Sequence, residues 1–530
     1  MEPVMPIENA NLGRLVLYTD YEDINEQNIE EVVSLAWTQH QSNVQRINWL
    51  FNYEKGDQPI NDRIKTIRSD HNTKVCVNKA SQIVDFHTGY LLSNPITYVQ
   101  RARVEDGKTE ADGKADDTKV ALFNKMCIEQ GMAAKNIELA INLFTCGVAY
   151  KMALPMRAKK RRGRQKPFSS FEIAIPAPAT TFVVYSNDAY RERMLGCTYS
   201  ILSDGTIRLT AYTEDLCYTL KADKASDVPA MPTHFTLVGE VTPNALGFIP
   251  IVEYSLKDRA AVFEKVIPIM DALNILDSDR VNDVTQHVQS LLWMHNCIVD
   301  KDQKEKIKNG DGLIVTKSAG DGHEAKISYL TQTLNQSEQQ TFVDHLIDEL
   351  QQITSTPNWN ESRGGSTTGA MQLSNGWQCA ELFAGQVEQR WDASEQEFIK
   401  ICIECIKADN RGEVRAVKEL ELADMEVRFC RKKTYDLVSK VNALVSLINV
   451  GVDGLTAFNT VSLFTDSQQA WLDSAKTINR LQAAIGQTQT GNDWNANKDE
   501  NGNGGAENTE RDKTEESVQP SKVTGVDVAS

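Results

Sequence analysis

The chain has 530 residues, 41% of them hydrophobic, and 73 acidic against 56 basic side chains give it a net charge of −17. That length allows two to four domains of roughly 100–200 residues, and the acid excess opposes adsorption to nucleic acid or an anionic membrane unless basic groups are gathered locally. Ten singly scattered cysteines make no disulfide framework and fit a reducing cytosol, Met1 to Leu12 lacks a signal-peptide run, and no stretch reaches the roughly 20 apolar residues of a bilayer span, so a soluble, unexported protein is expected.

From Ile24 to about Tyr53, residues Ile29, Val32, Val33, Leu35 and Ala36, then Val44, Ile47, Leu50 and Phe51, follow the period of an amphipathic helix. A second helix is predicted over Ala80 to Leu92. It ends at Ser93-Asn94-Pro95, and Ile96-Thr97-Tyr98-Val99 then alternates like a strand. Glu105 to Lys119 is charged and poor in large apolar groups, so a solvated loop is expected, with helical spacing resuming from Val120 to Leu154. Residues 168–255 are rich in β-branched and aromatic residues, with turns at Ser186-Asn187-Asp188 and Ser203-Asp204-Gly205, and read as a small antiparallel sheet.

The C-terminal half is more helical. Asp277 to His295 places Val281, Val284, Val288, Leu291, Leu292 and His295 on one stripe. After a mixed stretch over 298–336, Ser337 and Gln340 have capping-box spacing, and Phe342, Leu346, Leu350 and Ile353 form the next stripe. Pro357 ends that helix, and the small-residue run Asn360 to Gly369 follows. A third helix is predicted from about Met371 to Ala408, on the order of 55 Å if unbroken. Met425 to Cys430 reads as a strand, Leu437 to Ile448 as a helix stopped near Gly451, and Leu472, Ile478 and Leu481 as one more helix. Beyond about Gln487 the chain is too polar to offset its ordering entropy, and disorder is expected.

Motifs for catalysis are scarce. No GxxxxGK[ST] phosphate loop occurs, and Gly365, Ser366 and Gly369 miss the spacing of a nucleophile elbow by one. Cys402 and Cys405 form a lone CxxC within a helix, where two core-facing thiols are the simpler reading. No HExxH occurs, and His287, His295 and His345 read as polar or interfacial groups rather than ligands. The densest basic run is Lys159, Lys160, Arg161, Arg162, Arg164 and Lys166, which could meet phosphates or an acidic partner, or be a solvated loop between helix and sheet. A second group, Lys301, Lys304, Lys306 and Lys308, lies between two predicted helices.

Several local sequences then align in order with one family. Asn78 to Ile96, preceded by Tyr53-Glu54-Lys55-Gly56, resembles the helix-then-strand segment of portal proteins of long-tailed double-stranded DNA bacteriophages. Gly247 to Tyr254, Phe263-Glu264 and Asp271 to Asn274 resemble the approach to that family's first stem helix, and Pro357 to Ala370 its Gly-rich loop. The likeness covers about residues 45–480, whereas the basic run at 159–166 and the tail depart from it.

The resemblance implies a predominantly helical α+β subunit of a dodecameric ring. Its parts would be the wing (1–271), first stem helix (272–297), clip (298–336), second stem helix (337–356), tunnel loop (357–376), long tunnel helix and wing return (377–433), crown (434–485) and disordered tail (486–530). It further implies a virion protein assembled in the host cytoplasm, with double-stranded DNA, terminase, head–tail adaptor, scaffold and major capsid protein as partners, no cofactor, and no enzymatic activity. Arg363, Gly364, Gly365, Ser366, Thr367 and Thr368 would then face DNA, the four lysines at 301–308 would dock partners, and the 159–166 run would be a wing contact. Two other classes compete. An enzyme without a linear motif would show a pocket of convergent carboxylates, and a helical scaffold would need sustained heptads, which Met371 to Ala408 does not hold.

Overall fold

The computed structural model describes residues 12–65, 72–101, 104–105, 108–109, 117–156, 168–222, 234–288, 291–295, 297–298, 317–318, 326–330, 336–358, 376–429, 431, 437–461, 463–464, 470–471 and 474. Strand β1 (Leu17–Thr19) leads into helix α1 (Ile29–Glu54), whose apolar residues recur at threes and fours and whose first turn carries Glu30 and Glu31, favourable at the positive end of a helix dipole. Ile29, Val32, Val33, Ala36 and Trp37 enter one core and Ile47, Leu50 and Tyr53 a second, so α1 joins two cores. Leu35, expected on the buried stripe, is 58% exposed.

Helix α2 (Lys79–Leu91) starts at Asn78, whose side chain accepts from the Ser81 N–H at 3.4 Å, and β2 (Thr97–Gln100) follows. The expected loop over 105–119 contains a two-residue hairpin, β3 (Val104–Glu105) with β4 (Lys108–Thr109), and the first turn of α3 (Asp117–Glu129). Helix α4 (Met132–Cys146) ends on Gly147 at φ +80°, where a Cβ would strike the Arg259 carbonyl. The helical spacing expected up to Leu154 stops there. Val148–Pro155 is β5, the central strand of a three-stranded sheet between β6 (Phe171–Ala174) and β13 (Ile251–Ser255). A strand covered on both faces reads as a continuous apolar run, which periodicity alone cannot tell from a helix.

The expected single small sheet is thus two. The second holds seven strands, β1, β7 (Thr181–Ser186), β8 (Arg193–Ile201), β9 (Ile207–Tyr212), β10 (Leu216–Ala222), β11 (Thr236–Leu237) and β12 (Thr242–Pro243), with β1 joined parallel to β7.

Helix α5 (Ile267–Val288) begins ten residues before the expected Asp277, and Leu291–His295, expected as its last turns, is strand β14. Short strands β15 (Cys297–Ile298), β16 (Lys317–Ser318) and β17 (Lys326–Leu330) pair as β14 with β17 and β15 with β16. Helix α6 (Gln336–Thr354) starts before Ser337, which therefore lies inside it, and it buries Val343 and Leu350 while Phe342 and Ile353 face outward. Helix α7 (Trp377–Ala408) is the long helix; residues 371–375 of its expected span lie outside the described residues. Strand β18 (Met425–Arg428) pairs antiparallel with the distant β2, and α8 (Leu437–Val450) stops at Gly451 as expected. A short helix α9 (Gly454–Val461) was not anticipated, and the helix and tail expected after it fall outside the described residues. Mixed helices and sheets make the chain α+β.

One buried ion pair sits where α4, β2, β5, β13 and α7 converge. The Lys151 ammonium on β5 donates to both Glu395 carboxylate oxygens on α7, at 2.8 and 3.1 Å, and to Asn136 Oδ1 on α4 at 3.0 Å. Glu395 also accepts from the Tyr98 and Tyr254 hydroxyls, each at 2.7 Å, and from the Trp391 indole at 3.2 Å. Both charged side chains are 0% exposed. Burial alone would raise the Glu395 carboxyl, but the Lys151 charge and the hydrogen bonds from Lys151, Tyr98 and Tyr254 hold it below its ordinary value. Lys151→Met is therefore expected to lower stability by about 3–5 kcal/mol, because Glu395 is left as an uncompensated buried charge, and adding Glu395→Leu should recover much of the loss. Urea denaturation checks this; a single-variant loss under about 1 kcal/mol would contradict it.

Candidate functional site

Helices α5 and α6 pack together, with Arg280 Nη2 donating to Gln340 Oε1 at 2.9 Å across the pair. α5 carries Asn274, Ser278 and Asn282 at a spacing of four, all on one face and all buried. Such residues inside a buried face need partners, and the extended segment 73–77 supplies them. The Val77 N–H donates to Asn274 Oδ1 at 2.8 Å, the Val75 N–H to Ser278 Oγ at 2.9 Å and the Thr73 N–H to Asn282 Oδ1 at 3.0 Å. Four helical residues rise about 6 Å and two extended residues about 6.6 Å, so helix acceptors and alternate strand N–H groups stay in step.

Further contacts extend this clamp. Asn274 Nδ2 donates to Gln58 Oε1 at 2.6 Å, the Tyr53 hydroxyl donates to Asp271 at 2.8 Å, and Arg63 and Lys65 both reach Asp279 at 2.8 Å. Burial raises the Asp271 carboxyl, with the Tyr53 hydroxyl partly offsetting it. At Asp279 burial also acts upward, but the hydrogen bonds and charges of Lys65 and Arg63 outweigh it and the carboxyl lies low. Just ahead of α5, buried Glu264 accepts from Arg14 at 2.6 Å and from Arg46 at 3.0 Å.

The face of α5 away from the clamp differs from the expected stripe. Ile275, Val281 and Val284 on α5, with Phe342 and Ile353 on α6, are between 41% and 52% exposed, whereas the buried face of α5 is Met270, Leu273, Asn274, Ser278 and Asn282.

The site residues expected from sequence all lie outside the described residues: Arg363, Gly364, Gly365, Ser366, Thr367 and Thr368; Lys301, Lys304, Lys306 and Lys308; and Lys159, Lys160, Arg161, Arg162, Arg164 and Lys166. Their places along the chain are nevertheless fixed by the described elements around them. The first group falls between α6 and α7, and a Cβ on Gly376 would lie 3.8 Å from the Pro357 Cα, so both ends of that connection are adjacent. The lysines fall between the paired strands β15 and β16. The basic run joins β5 to β6, two neighbouring strands, and not a helix to a sheet. Cys402 and Cys405 are buried free thiols, with burial pushing Cys405 up to about 12. His295 and His345 are exposed.

A cleft of 860 Å³ between the seven-stranded sheet and α7 is lined by Glu192, Arg193, Glu214, Asp215, Glu397 and Lys400 among others, and its lining includes no histidine or cysteine. Among the described residues no group of His, Cys, Asp and Glu is arranged to hold a metal ion, and no helix is long and apolar enough to cross a membrane.

A family model described as phage portal protein, SPP1 Gp6-like, matches residues 34–485. The chain belongs to this phage portal family. The match spans the larger core, most of the smaller one, the α5–α6 pair and α7, and makes the portal chain a member of a structural rather than an enzymatic class, which implies a place at the capsid vertex of a virion. No curated protein matches the portal chain.

What reading the sequence missed is the polar framework of this portal chain. The Asn274, Ser278, Asn282 spacing was a signal that could have been found, since polar residues every fourth position mark a helix face that water or backbone must satisfy. Ser278→Ala should leave the Val75 N–H without its acceptor at a cost of about 1–3 kcal/mol, seen as faster amide exchange over residues 73–77. Unchanged exchange there would mean that the clamp does not depend on the ladder.

Proposed function

We propose that this chain is the portal vertex subunit that closes a ring around a channel for double-stranded DNA packaging and ejection, docking the terminase motor first and head–tail adaptors later. The family match over residues 34–485 carries the reading. In it, residues 1–271 form the wing, 272–297 and 337–356 the stem, 298–336 the clip, 357–376 the tunnel loop, 377–433 the long tunnel helix and wing return, and 434–485 the crown, with 486–530 as the tail. The exposed apolar positions of α5 and α6 support it, because a second copy is the natural cover for a helix face that its own chain leaves open.

Charge fits a conduit. A dodecamer of chains at −17 carries roughly two hundred negative charges, which repel DNA from most of the wall. Each phosphate neutralised by Lys or Arg adds salt-dependent affinity that resists sliding, so weak, local contact suits translocation. Arg363 among Gly364, Gly365, Ser366, Thr367 and Thr368 would touch the duplex. Lys301, Lys304, Lys306 and Lys308 would meet acidic surfaces of terminase and adaptor, and the 159–166 run would meet scaffold or major capsid protein.

Negative-stain microscopy of the purified chain should show annular particles with a central hole; a monomer at every concentration would sink the reading. Crosslinking in DNA-filled capsids should join residues 363–368 to DNA, 301–308 to terminase or adaptor and 159–166 to scaffold or coat. Any of the three segments found linked only to other partners, or to none, loses its assigned role.

A further inference from the structure

Helix α2 carries three aromatic residues that touch both ends of the connection between α6 and α7. His87, 2% exposed, holds the Thr354 carbonyl at the end of α6 through Nε2 at 2.9 Å. A carbonyl only accepts, so Nε2 bears the proton, and burial, which lowers this histidine to about 4 despite the hydrogen bond to Thr354, keeps the ring neutral. The same ring packs against Phe383 of α7, with centroids 4.6 Å apart. One turn on, the Tyr90 hydroxyl donates to Glu381 of α7 at 2.6 Å, and the Phe86 and Tyr90 rings, stacked on each other, meet Trp377 at 6.1 and 5.9 Å. Arg431, beside β18, ties in by pairing with Glu381 at 2.8 Å and Glu388 at 3.3 Å.

The junction held this way is strained. Ser355 sits at φ +55°, a conformation unusual for a residue with a Cβ, and Thr354 and Thr356 brace it through their hydroxyls at 3.0 Å. α2 touches the two helices separately, α6 through His87 and Thr354, α7 through His87 and Phe383 and through Tyr90 and Glu381.

We propose that α2 is a positioning element that fixes where α6 ends and α7 begins, with His87 setting the first and Tyr90 the second. The separation and angle of these helix ends are then dictated by the N-terminal half of the chain. For the functional consequence, that this half places the channel-lining connection, the inference rests on the portal reading; the positioning itself does not.

Hydrogen exchange on the full-length protein tests it with three variants. His87→Phe keeps an aromatic ring but removes the donor, His87→Gln restores an N–H donor without the ring, and Tyr90→Phe removes only the hydroxyl. The expected result is exchange faster by about fivefold or more over residues 354–358 in His87→Phe, with recovery in His87→Gln, and over 377–383 in Tyr90→Phe, while β5 is unaffected. Unchanged exchange at both helix ends, a rise spread evenly over the fold, or no recovery with glutamine would each overturn the proposal. If the unmodified chain formed no rings, the portal reading would fall while the exchange pattern still decided the positioning role.

Discussion

The larger core is arranged around the Lys151–Glu395 pair. Removing two charges from water costs several kcal/mol for each ion, and only close geometry with every remaining polar atom satisfied offsets that cost. Here the condition is met by Asn136, Tyr98, Tyr254 and Trp391 together, and the Lys151 ammonium also lies 4.2 Å over the Phe398 ring. The partners come from five elements spread from residue 98 to residue 398, so the pair is compensated only when the larger core has closed. Hydrophobic packing alone would tolerate a slip of α7 along the sheet, since apolar contact has no direction. A buried charge with four named donors does not, and the axial position of α7 is thereby set at its middle.

The consequence reaches the two ends of that helix. Its C-terminal half, with Phe398, Ile399, Ile401, Cys402, Ile403, Cys405 and Ile406, is driven into the larger core. Its N-terminal half buries less and is held by the aromatic and ionic contacts of α2 and Arg431. α5 shows the same division between faces rather than ends. One side is taken by the extended segment 73–77, whose backbone N–H groups donate to the side-chain oxygens of a polar stripe, and the other side keeps Ile275, Val281 and Val284 outward. A helix fixed by polar contacts behind and left apolar in front is suited to association, because its backbone is already ordered before any second surface arrives.

How much of this could be read from sequence depends on whether the relevant signal is local. α1, α2, β2 and α8 follow from periodicity and from their stop residues Pro95 and Gly451. Val148–Leu154 and Leu291–His295 read as helix because a short apolar run has no period to measure, and strand partners lie about 100 residues away at Ile251–Ser255 for the first and 31 to 39 away at Lys326–Leu330 for the second. The polar framework was the least legible part. Lys151 lies in Val148-Ala149-Tyr150-Lys151-Met152, where one charge suggests an exposed edge, and Glu395 lies among Asp392, Ser394 and Gln396, which looks like a solvated helix face. Each residue seems ordinary until its partner, 244 positions off, is known.

The distribution of cations follows from the same framework. Arg14 and Arg46 are committed to Glu264, Arg63 and Lys65 to Asp279, Lys151 to Glu395, Arg193 to Glu397, Arg259 to Glu253 and Arg431 to Glu381. A cation whose nearest neighbour is a carboxylate contributes little net field beyond a Debye length. The excess of 73 acidic over 56 basic side chains leaves the chain at −17, and the densest basic stretches of the sequence fall in connections between elements, at 159–166 between β5 and β6 and at 301–308 between β15 and β16. The cations described in the body are thus tied to the fold through their carboxylates. The fully buried ones, Lys151 with Glu395 and Arg14 with Glu264, can be exchanged for well-packed apolar residues only together with their carboxylates, because either partner left alone would be an uncompensated charge out of water.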